Sequence, residues 1–208
     1  MRSRRIKESL EQLKQHGCNI LVTGSVPLQV STRTSRRLLG DPSCLRERIV
    51  CVVGDGTDRE RWVAPAAPDS HTQTVVADSP EAFHPTMLDS TLVTATRNAV
   101  KSIDQVDDIG PGGIRVCFYS LSPLLTEFGV DPTVETLARF TRWIRSVSGI
   151  GHFHLPRPSS SCAVEDVQHV FDIEVELRES PGEDVSPEWR WHLPTYGTTN
   201  WLSITEWE

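Results

Sequence analysis

Apolar positions along this chain fall in two alternating rhythms. The first is helical. Over residues 3–16, Ile6, Leu10 and Leu13 recur at i, i+4 and i+7, and Gly17 supplies a stop, so the spacing predicts an opening amphipathic helix. Its polar face carries Arg4, Arg5, Lys7, Glu8 and Glu11. The second rhythm follows at once: residues 18–23 are a nearly unbroken apolar run, the mark of a strand covered on both faces. Residues 31–39 read as a helix closed by Gly40, and 48–53 as a second buried strand ending in Gly54-Asp55-Gly56.

Residues 57–80 are rich in Pro, Ala, Asp, Ser and Thr and read as a long connection, with a short strand near 74–77. Ser79-Pro80-Glu81 is a helix-start signal for a helical region reaching about Ile103. After a turn-rich linker at 107–113, a third strand covers 114–119, and 120–125 continues from its carboxyl end. Asp131 is the expected cap of a helix over 132–147, whose apolar stripe is Leu137, Phe140, Ile144 and Val147. A fourth strand is expected at 149–155 and a helix at 162–171. Residues 173–177, 189–193 and 201–204 read as three late strands with no helix between them, suited to antiparallel addition at a sheet edge.

Strands alternating with helices predict an α/β fold with a mainly parallel central sheet flanked by helices and closed by antiparallel C-terminal strands. The expected organisation is an N-terminal helix over 1–17 and a single domain over 18–208. Two hundred and eight residues suffice for one sizeable core. No apolar run approaches the length of a membrane span, and no apolar segment follows the basic start as a signal peptide requires.

Composition narrows the function classes. A net charge of −7 argues against broad nucleic-acid binding. Lysine is confined to Lys7, Lys14 and Lys101, a bias that together with the acidic balance suits a salt-adapted protein. Cys18, Cys44, Cys51, Cys117 and Cys162 are odd in number and form no C-x-x-C pair, so free thiols in a reducing cytoplasm are expected.

The candidate chemistry begins at Gly24-Ser25-Val26-Pro27-Leu28-Gln29-Val30-Ser31, between a buried strand and a helix. A phosphate-binding loop there wants Gly, four residues, Gly, Lys, then Ser or Thr. Gly24 and Ser31 are in register, but Gln29 replaces the second glycine and Val30 the lysine. Only the hydroxyl survives, as Ser31 with Thr32 beside it. At the end of the third strand, where a magnesium-holding carboxylate is required, stands Tyr119, followed by Ser120. A neutral phenol is a poor ligand for a hard cation. Both ends of a metal–phosphate grip are missing.

The chain resembles the KaiC/RecA-like ATPase superfamily, and more closely a group of small haloarchaeal proteins that look like its degenerate members, sometimes labelled transducer-like signalling proteins. The resemblance lies in residues 16–24, HGCNILVTG; 34–40, TSRRLLG; 115–125, RVCFYSLSPLL; 149–156, GIGHFHLP; and 189–194, WRWHLP. It implies a RecA/KaiC-like fold. In active relatives a Lys-Thr or Lys-Ser pair binds phosphates, a strand-end Asp followed by Ser holds magnesium, and a carboxylate beyond the second strand activates water. Val30 and Tyr119 depart from that pattern, and Asp55 falls near the third position, where a turn role competes.

The resulting expectation is a non-catalytic regulatory or protein-interaction module in cytoplasmic signalling. It would have a protein partner, no cofactor beyond weak residual nucleotide binding, and, as the resemblance implies, self-assembly. A divergent nucleotide-binding enzyme using Ser31, Asp55 and the histidines is the alternative. A nucleic-acid binder using Arg33, Arg36 and Arg37 is the second. His152 and His154 sit at i and i+2 on a strand, hence on one face, as a polar cleft pair. A metal there would need a third ligand such as His192 or Cys162, which no spacing supplies, and none is assigned. The late tryptophans, Trp189 and Trp191 on one strand face among them, read as packing or as a partner surface.

Overall fold

Strand β1, Cys18–Thr23, is buried at every residue because it lies inside a parallel sheet covered on both faces. The computed structural model describes residues 13, 15–41, 46–53, 72–77, 80–83, 110–180, 186–193 and 197–204. After β1 come α1 (Leu28–Leu39), β2 (Glu47–Val53), β3 (Thr72–Ala77), a 3-10 turn (Pro80–Phe83) and β4 (Ile114–Tyr119). Then follow α2 (Ser122–Phe128), α3 (Val130–Ser146), β5 (Ile150–His154), α4 (Cys162–Gln168), β6 (Ile173–Glu179), β7 (Pro187–Leu193), β8 (Gly197–Thr198) and β9 (Leu202–Ser203). The strand order is β3-β2-β4-β5-β1-β6-β7-β8, with β9 also on β7. Pairing is parallel from β3 across to β6 and antiparallel beyond it.

The two faces hold different cores. Helix α1 covers one, where Val30 and Leu38 pack with Cys18, Ile20, Val22, Val175, Trp189 and Trp191, and Leu39 packs with Val50 and Cys117. Helices α2, α3 and α4 cover the other through Leu124, Leu137, Phe140, Ile144, Val164 and Val167. Phe118 is the hub of that face, with ring centroids 4.9 Å from Phe83 and 5.9 Å from both Phe140 and Phe153. No helix among the described residues is long and apolar enough to cross a membrane.

Several expectations need correction. Strand β6 is no antiparallel addition: it pairs parallel with β1, and the antiparallel part starts at β7. A parallel partner needs a crossover, and α4 supplies it. Residues 122–128 turn into a helix, aided by Pro123 in its first turn. Asp131 does not cap α3. Gly129 takes that position with φ of 78°, and Asp131 lies in the first turn, where its charge favours the helix dipole. Helix α1 starts at Leu28, three residues earlier than expected. Of the opening helix, Leu13, Gln15 and His16 are described and helical, and the rest lies outside the described residues, as do Asp55 and the expected helix beyond Phe83.

Candidate functional site

The carboxyl ends of β1, β4 and β5 bring the expected nucleotide-site residues together, but not as a phosphate cradle. Gly24 has φ of 115°, and its N–H donates to the Arg157 carbonyl at 2.7 Å. A Cβ at this position would collide with the Leu177 carbonyl of β6. The glycine is therefore required by packing between β1 and β6. Leu155 N–H donates to the Val22 carbonyl at 2.9 Å, so the segments leaving β1 and β5 are stitched to each other. In an open α/β sheet, ligands enter the crevice beyond the strand ends where connections diverge. Here α1 leaves β1 across one face and α4 leaves β5 across the other.

The remaining members of the loop point elsewhere. Gln29, Val30 and Ser31 all lie in the first turn of α1. Val30 is buried in the α1-face core, in the place of a lysine that would have to reach a phosphate. Ser31 is buried, and the Thr32 hydroxyl donates back to the Gln29 carbonyl at 3.0 Å. Tyr119 is half-buried against His154, with ring centroids 5.5 Å apart. Burial first, and then the neighbouring Cys117, push its phenol above the ordinary value, away from any ionised role. Buried Ser120 follows the strand, and Leu121 N–H donates to the His154 carbonyl at 2.8 Å.

Beneath α1 the sheet carries a polar patch. Parallel register sets Cys117 of β4 beside His152 of β5, and Tyr119 beside His154. Alternation then puts Cys117, His152 and His154 on one face. All three are buried, and their ligand atoms lie within 4.8 Å of one another. Ser35, buried on α1, reaches down to this patch. Its Oγ is 2.7 Å from His154 Nε2 and accepts from the Cys117 thiol at 3.6 Å. Burial holds His154 down to about 3 and pushes the Cys117 thiol up to about 12, with Ser35 partly opposing the latter. His152 is held well below its ordinary range by burial first, then by His154, then by the Arg115 guanidinium. Two neutral imidazoles and a protonated thiol, sealed from water, are poorly set for acid–base or thiolate catalysis on a dissolved substrate.

The other sequence candidates do not join this patch. Cys162 is exposed on α4. His192 of β7 faces Glu176 at 3.2 Å and Thr198 at 3.1 Å. The side chain that joins the two histidines is instead Cys117, which sequence spacing could not select because only the β4–β5 register brings it to them. Arg33 and Arg36 are exposed on α1, while Arg37 lines a cavity of about 250 Å³ at the other end of the helix with Arg46, Arg115, Trp189 and Trp191. Trp189 and Trp191 are buried core residues, 5.4 Å apart edge to face, and so are no partner surface. Trp201 lies under the Arg178 and Arg190 guanidiniums, 4.0 and 4.6 Å from its ring centre.

The model of a protein family described as a family of unknown function (DUF7504) matches residues 17–177. That span runs from the residue before β1 into β6, and so contains the whole parallel part of the sheet. No curated protein matches the chain.

Proposed function

The chain belongs to the DUF7504 family, and we propose that it is a non-catalytic regulatory or protein-interaction module built on a degenerate RecA/KaiC-like nucleotide-hydrolase scaffold. One observation carries the reading. The glycine that would open the phosphate loop has its N–H bonded to Arg157 at 2.7 Å and its α-carbon pressed onto β6, so the head of the loop is committed to the protein's own backbone. The grip needs cationic and carboxylate groups as well, and Val30 and Tyr119 replace both.

What remains usable for recognition is the outer surface of the scaffold. The exposed side of α1 carries Gln29, Arg33 and Arg36 and is suited to a protein partner bearing acidic groups. The residues that make the strand ends rigid would serve to hold that surface in place.

Calorimetry with ATP and GTP in the presence of magnesium tests the proposal. The expected result is no binding in the submillimolar range and no turnover. Submillimolar binding with hydrolysis that disappears in Ser31→Ala would mean that the site is an active one and that the proposal is wrong.

A further inference from the structure

Burying two imidazoles and a thiol together needs a reason beyond packing. A neutral imidazole has one donor and one acceptor nitrogen, and buried polar atoms are normally paired. His152 is fully buried, and among the described residues neither Nδ1 nor Nε2 has a hydrogen-bond partner. Its ring stands 5.6 Å from that of His154, tilted by 75°. The third member of the cluster is the Cys117 sulfur. All three donors lie within 4.8 Å of one another. A trigonal site with bonds of about 2.0–2.3 Å separates its donors by roughly 3.5–4 Å, so closure onto an ion needs shifts of about 1 Å or less.

We propose that Cys117, His152 and His154 bind one copper(I) ion beneath α1. One thiolate and two imidazoles form a soft-to-borderline donor set, suited to copper and zinc rather than to magnesium or calcium. Charge decides between the two. The cationic Arg115 guanidinium acts on His152. Zinc(II) with one thiolate leaves a net charge of +1, buried and beside a cation. Copper(I) with one thiolate is neutral, which a dry site accepts at far lower cost. Binding is a ligand exchange without electron transfer: a copper–sulfur bond forms, the Cys117 S–H bond breaks, and the proton leaves to solvent. Ser35 spans His154 and Cys117 from the helix above, so an occupied site would link α1 to β4 and β5. Such a link makes metal binding part of folding stability.

The test uses the full chain, purified without a histidine tag, stripped of metal, and titrated anaerobically with copper(I) buffered by bicinchoninate. One ion per chain is expected. Affinity should fall by about 100-fold or more in Cys117→Ala and in His152→Phe, and stay unchanged in Cys162→Ser, whose thiol is exposed and remote. X-ray absorption on the wild-type complex should show one sulfur and two imidazole nitrogens around copper, and this readout decides the matter if the buried variants fail to fold. No uptake at one equivalent, uptake that survives Cys117→Ala, or a shell without sulfur would overturn the site. Zinc that binds as tightly as copper would overturn the choice of ion.

Discussion

Replacing Gly24 with alanine separates a structural glycine from a phosphate-binding one. At φ of 115° an L-residue is strained, by about 1–2 kcal/mol. The new Cβ also meets backbone: besides colliding with the Leu177 oxygen, it would lie 3.0 Å from the Leu177 carbonyl carbon and 3.1 Å from its Cβ. Backbone cannot rotate away as a side chain can, so β6 has to move from β1. That movement strains the ladder at Thr23–Glu176 and the 2.7 Å hydrogen bond from the Thr23 hydroxyl to Glu174. Overpacking of this kind costs about 1–3 kcal/mol. The total is about 3 kcal/mol, or about 6–12 °C in melting temperature for a chain of this size.

Gly129→Ala is the matched control. Its φ of 78° is also positive, but nothing lies within 4 Å of the added carbon, so only the backbone strain remains. Thermal and urea unfolding followed by far-ultraviolet circular dichroism reads both. A Gly24→Ala protein that melts within about 2 °C of the wild type, or no lower than Gly129→Ala, would show that β6 packing is not what requires the glycine.

Two further outcomes are expected. Phe118→Ala removes the ring shared by Phe83, Phe140 and Phe153 and should lower unfolding free energy in urea by about 3–5 kcal/mol, whereas a loss under about 1 kcal/mol would mean that the α2–α3 face collapses around the gap. Metal-stripped protein should lose stability in acid. The unfolded chain takes up a proton on His154 near the ordinary 6.5 and the folded chain only near about 3, so this contribution is complete above 6.5 and is lost as pH falls toward 3, by about 2 kcal/mol at pH 5. Urea midpoints at pH 7.5 and 5, compared between wild type and His154→Gln, measure it, and equal acid sensitivity in the two proteins would rule it out.

Much of the scaffold was legible in the chain because its signals are local. The run of residues 18–23 is β1 to the residue, since a strand buried on both faces reads as a dense apolar run even where it takes in a polar residue such as Asn19. Ile114–Tyr119 was equally plain for the same reason. Leu137, Phe140 and Ile144 were recognisable as the buried stripe of α3 by their spacing alone. The misreadings share a cause. Residues 122–128 carry a proline that suits either a loop or a first helical turn, and Gly129 competes with Asp131 as the start of α3, whereas in the fold the segment buries Leu124 in the core.

Sequence by itself determined that this is an alternating α/β chain, that Val30 and Tyr119 stand where a phosphate loop and its metal site would need a lysine and a carboxylate, and that His152 and His154 share a strand face. Those facts depend on spacing along one segment. Tertiary structure alone decided that β6 runs parallel beside β1, that Gly24 is held by Leu177 and Arg157, and that Cys117 completes a cluster with the two histidines. Each of these depends on which strands lie side by side and in what register. Register joins residues far apart in the chain, and no single segment encodes it.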